Sequence, residues 1–172
     1  MKITSFCRVF GERYIKATTI LLVVPIVLFA RVGAADVNWT AKPVFDPIKD
    51  QTLCMLESVK KVLNDGYQDT EIVLRVGEHG LRVVTKSNID AGKGDIGFQV
   101  DEHEFVPMDR VYLEQTIVFE KDIAKIIEQF KKGVRAKFTL RFWPTYPDTG
   151  SKTLTFSLIG FTKAYGDLAN CG

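Results

Sequence analysis

The chain has 172 residues, 46% apolar and 26% charged, with 23 basic against 21 acidic side chains and no low-complexity tract or internal repeat. Its net charge of +2 and pI of 8.4 belong to the first 35 residues, where Lys2, Arg8, Arg13, Lys16 and Arg31 stand against Glu12; residues 36–172 carry 18 basic and 20 acidic side chains, net −2. A mildly acidic chain of mixed charge has no basic stripe to neutralise a phosphate backbone, which excludes nucleic acid as the expected partner.

Residues 1–35 have the three parts of a secretory signal peptide: a basic start, the uncharged run Thr18–Ala30 (TTILLVVPIVLFA), and small residues at Gly33, Ala34 and Ala35. An uncleaved anchor is the rival reading, but a spanning helix needs about 20 apolar residues. Here the run stops at Arg31 and carries Pro25 in its middle, where a helix interior is disfavoured. Cleavage near Ala35 or Asp36 is therefore expected, with no stable membrane span afterwards and a periplasmic or secreted location. Residues 36–51, rich in Pro, Asp and Lys, read as an extended N-terminal arm, and residues 52–172 as a single β-rich domain. Cys7 leaves with the signal. Cys54 and Cys171 remain, and in an oxidising compartment they are expected to pair, the alternative being two buried thiols.

Leu53–Leu63 fits strand or helix by periodicity; the Asn64-Asp65-Gly66 turn and the β-branched run Glu71–Val76 favour a strand. Gly77-Glu78-His79-Gly80 is a second turn, and Leu81–Thr85 a third strand. After a polar loop at 87–95, Ile96–Val100 pairs with Phe105–Met108, and Val111–Phe119 alternates as one more strand. The period then changes. Ile123, Ile126, Ile127 and Phe130 fall on one face of an amphipathic helix over about 121–132, opened by Asp122 and closed by Lys131, Lys132 and Gly133. Two more strands come at 135–142 and 153–159, joined through FWPTYP (142–147), and a short helix near 161–169 closes the chain. The predicted fold is mainly β: an antiparallel β-sandwich or partly open barrel with one amphipathic helix and a short C-terminal helix.

The helix ending in Lys-Lys-Gly, the strand pair and the sequence Phe156-Ser157-Leu158-Ile159-Gly160-Phe161-Thr162-Lys163-Ala164-Tyr165 resemble the invasion-associated locus B family of exported bacterial proteins. The resemblance spans 117–168. It implies a shared exported sandwich-like fold and no catalytic residues. Members usually carry further cysteines in the middle of the chain, and this sequence has none between Cys54 and Cys171.

Candidate chemistry is sparse. His79 and His103, each beside carboxylates (Glu78; Asp101, Glu102, Glu104), could belong to a small periplasmic hydrolase or a metal-dependent enzyme. Both sit in turns, where charged side chains are ordinarily solvated. There is no Gly-x-Ser-x-Gly elbow, and Gly92-Lys93-Gly94-Asp95 lacks phosphate-loop spacing. No cofactor or metal is expected. Trp143 and Tyr146, stiffened by Pro144 and Pro147, form the preferred binding surface, although the same residues could simply cover one end of the core. The expected function is thus that of an exported, non-catalytic protein that binds a protein or cell-envelope component.

Overall fold

Alternation builds the centre of the molecule, which is described here by a computed structural model over residues 38–92, 94–143 and 150–171. The predicted signal peptide and Tyr146 lie outside these residues. In β4 (Asp69–Gly77), Thr70, Ile72, Leu74 and Val76 point inward and are buried, while the residues between them face outward. β5 (Gly80–Thr85) pairs antiparallel with β4 across the turn at Glu78-His79. Together with β1 (Trp39–Asp46), β2 (Gln51–Ser58), β8 (Arg110–Tyr112) and β9 (Thr116–Phe119) they make a sheet of order β1-β2-β4-β5-β9-β8. β3 (Lys61–Asn64) joins the same sheet beside β4.

The second sheet has the order β11-β10-β6-β7, from β6 (Gly97–Val100), β7 (Val106–Pro107), β10 (Arg135–Leu140) and β11 (Lys152–Ser157). Every pairing is antiparallel and neither sheet closes on itself, so the molecule is a sandwich and not a barrel. Between the sheets, Phe98 of β6 meets Phe119 of β9 edge-on at 4.9 Å. Helix α1 (Ile123–Lys132) inserts Ile126, Ile127 and Phe130 into the same core. Helix α2 (Phe161–Asp167), continued by a 3-10 turn at Leu168–Asn170, adds Phe161 and Ala164, with Trp39 of β1 edge-on to Phe161 at 5.0 Å.

Three expectations change. The segment 36–51 is extended, but it is no arm outside the domain: β1 pairs with β2 over its whole length. Its Pro43 fits because Asn38 O accepts from Val59 N–H at 2.9 Å, which sets the even-numbered residues of β1 to bond β2 and turns Pro43 toward the free edge. A residue without an N–H is harmless there and blunts an exposed edge. The strand expected over 53–63 is two, because the Ser58 hydroxyl takes the Leu74 N–H at 3.0 Å and the chain re-enters the sheet only at Lys61. The strand expected over 111–119 is a tight hairpin, β8–β9. Gly133 ends α1 as its sequence suggested, in extended backbone (φ −80°). A Cβ there would collide with Val100 and would lie 3.0 Å from Leu158, so close packing explains the glycine.

Candidate functional site

Three chain segments meet at one end of the sandwich. Trp143 N–H donates to Asn88 O at 2.8 Å. The Asn88 amide donates to Glu114 Oε2 at 2.9 Å, and Ile89 N–H donates to Glu114 O at 2.6 Å. The Gln115 amide donates to Lys86 O at 3.1 Å. Beneath them Ile89 and Phe142 form an isolated bridge and are both buried. The β8–β9 turn and the start of the 143–150 connection are therefore fixed to the same loop. From it two large apolar side chains stand into solvent, Trp143 at 57% exposure and Leu113 at 72%. Leu113 and Glu114 both hold left-handed backbone, φ 45° and 59°. Non-glycine residues avoid that region, and such strain concentrates at functional positions.

The connection that carries Trp143 is pinned at its base. Arg141 reaches Asp95 with Nη2 at 2.5 Å and Nε at 3.4 Å, and Ser151 Oγ at 2.9 Å; the Ser151 hydroxyl also bonds Asp95. Arg141 precedes the connection and Ser151 comes after it, so one guanidinium holds both stems. The Arg141 hydrogen bond, against the opposing push of burial, and then the Ser151 hydroxyl hold the Asp95 carboxyl down at about 2, from an ordinary 3.8. A pKa lowered by folding means stability that is present above about pH 4 and fades as pH falls toward 2. Thermal melts of the protein and of Asp95→Asn should therefore differ most near neutral pH and converge in acid. An undiminished difference at pH 2 would contradict this assignment.

The two histidines go to different places. His79 is exposed in the β4–β5 turn at the rim of a cavity of about 350 Å3, floored by Leu53, Met55, Tyr165 and Leu168. His103, also exposed, lines a separate groove of about 410 Å3 between β7 and α1. Among the described residues no three His, Cys, Asp or Glu side chains come together as a metal set. Two acids near His103 have structural work. Asp101 accepts the N–H groups of Val134 and Arg135, at 2.8 and 3.0 Å. Asp109 accepts those of Glu120 and Lys121, at 2.6 and 2.9 Å. Burial pushes Asp109 up, but these bonds and the Lys121 ammonium outweigh it, so its carboxyl lies below the usual range. Among the described residues, every carboxylate that moves clearly from its ordinary value moves down. A general acid needs the reverse.

Cys54 of β2 and Cys171, after the 3-10 turn, are joined as a disulfide, with Cα atoms 5.9 Å apart. The bridge closes the side of the sandwich where α2 packs on β1. No family model matches the chain, and no curated protein matches it. Among solved structures, invasion associated protein B from Bartonella henselae matches with a TM-score of 0.50 over 77% of this chain and 92% of that one, at 17% identity. The fold is that of invasion associated protein B. The resemblance seen in residues 117–168 thus extends, as a likeness of fold, well beyond the C-terminal third. On this invasion associated protein B-like sandwich the sequence pointed to Trp143, which is exposed, and to Tyr146, which lies outside the described residues. It missed Leu113, because neither Leu nor Glu announces a turn with positive φ.

Proposed function

We propose that the protein is exported, periplasmic or secreted, and acts as a non-catalytic binding domain of the bacterial envelope. Its partner is a protein or another envelope component and not nucleic acid, held at the end of the sandwich that presents Trp143 and Leu113. The observation that carries this reading is the pair of exposed apolar side chains anchored on one loop, one of them held in strained backbone. A rigid aromatic loses little entropy on docking, and the tight β8–β9 turn, which demands positive φ, holds Leu113 out beside it. No helix of the described residues is long and apolar enough to cross a membrane. A hydrolytic or metal-dependent role for His79 and His103 has less behind it, since they line separate cavities and Asp101, beside His103, is engaged by two backbone N–H groups.

The test uses the strain. Leu113→Asn places a residue that tolerates left-handed backbone at φ 45°, and should raise stability by about 0.5–1 kcal/mol. If the residue serves binding, the same variant and Trp143→Ala should lose the adducts that photo-crosslinking at this end captures from native envelopes. Equal adduct yields from the variants and the parent would reject the surface.

A further inference from the structure

The outward face of the four-stranded sheet is ordered in a way that its core side conceals. The register of β10 with its neighbours sets the side chains out in rungs. Thr139 lies between Gly97 and Thr153, and Lys137 between Gln99 and Thr155; Arg135 lies beside Ser157. The Asp95–Arg141–Ser151 contact continues the same ladder toward Trp143. Down the middle run Arg135 and Lys137, both exposed, and beside them on β11 runs an unbroken column of hydroxyls, Thr153, Thr155 and Ser157. Successive rungs are about 7 Å apart and neighbouring columns about 5 Å.

Two features separate this face from an ordinary solvated sheet. Among the described residues, neither Arg135 nor Lys137 has an ion-pair partner, whereas the cations on the outward face of the other sheet are paired: Arg75 to Glu57, Arg82 to Asp46 and Glu120, and Arg110 to Glu120. The carboxylate next to Arg135, Asp101, is occupied by two backbone N–H groups. The second feature is an aromatic platform. A Cβ on Gly97 would lie 2.5 Å from Phe105 Cζ, so the Phe105 ring rests on the outward side of Gly97, beside Thr139, and remains 44% exposed. The missing side chain at 97 is what lets the ring lie there.

Unpaired cations call for carboxylates, and Arg can take one in two parallel hydrogen bonds. Hydroxyls that both donate and accept match other hydroxyls. An aromatic face takes the apolar C–H side of a sugar ring. We infer that this face binds an acidic polysaccharide, a chain of uronate-type sugars laid along β10, independently of the Trp143 end.

Titration calorimetry of the protein with an oligogalacturonate, a neutral cello-oligosaccharide of equal length and a poly-glutamate of matched charge tests this. The uronate chain should bind, more weakly as salt is added. Arg135→Gln with Lys137→Gln should weaken it about tenfold, and Phe105→Ala about threefold. Trp143→Ala should leave it unchanged, which separates this face from the proposed partner surface. All these side chains are exposed, so melting temperatures should hold. Absence of uronate binding, affinity indifferent to the Arg135/Lys137 pair, or poly-glutamate or the neutral glycan binding as tightly would each overturn the inference.

Discussion

Replacing Cys54 and Cys171 together by serine should lower the unfolding free energy by about 3–5 kcal/mol. The bridge spans 117 residues, and cross-linking so long a loop removes much of the entropy of the unfolded chain. The loss should exceed what removal of local contacts would give, because Cys171 itself is only half-buried and packs little. Denaturant titration of the oxidised protein, of the reduced protein and of the double serine variant gives the comparison. The reduced parent and the variant should coincide. A difference below about 1 kcal/mol between oxidised and reduced forms would show that the ends of the chain are held by packing alone. Hydrogen exchange should then localise the loss to α2, whose anchors are Phe161 in the core and Tyr165 stacked on it at 5.7 Å.

The second large effect is expected at Phe98, which has no solvent exposure and lies at the crossing of the two sheets and α1. Its ring centroid is 4.9 Å from that of Phe119, 5.2 Å from Phe138 and 5.6 Å from Phe130. Phe98→Ala deletes the shared partner of three rings and leaves a cavity that rigid strands cannot close, a loss of about 3–5 kcal/mol. That approaches the whole stability of many domains of this size. Phe98→Leu refills most of the volume and should retain most of the stability. Urea midpoints of both variants decide the point; equal losses would mean that ring–ring geometry matters more than volume.

Periodicity made much of the fold legible in the sequence. Ile72, Leu74 and Val76, the helix face Ile126, Ile127 and Phe130, and the alternation of Ala136, Phe138 and Leu140 all point where their spacing says. The cysteine pair could be read as well, because it rests on residue type more than on tertiary context. β1 was hidden by its composition: an edge strand is bonded on one side only, so Lys42 and Pro43 cost it nothing. The break after Ser58 depends on one side-chain hydroxyl standing in for a ladder bond. The β8–β9 turn uses residues that no turn preference favours. The ladder on β10 could not be foreseen, since Arg135, Lys137 and Thr139 show only that one face is polar. That hydroxyls stand beside them, and that Phe105 lies over Gly97, depends on register across three strands.

The pin formed by Asp95, Arg141 and Ser151 has a consequence for how such a protein can diversify. It fixes the two points between which the chain leaves and rejoins the sheet. Loop-closure entropy grows slowly, by about 0.6 kcal/mol for each doubling of length. Lengthening the chain between Arg141 and Ser151 should therefore cost the fold little, because one guanidinium holds both stems.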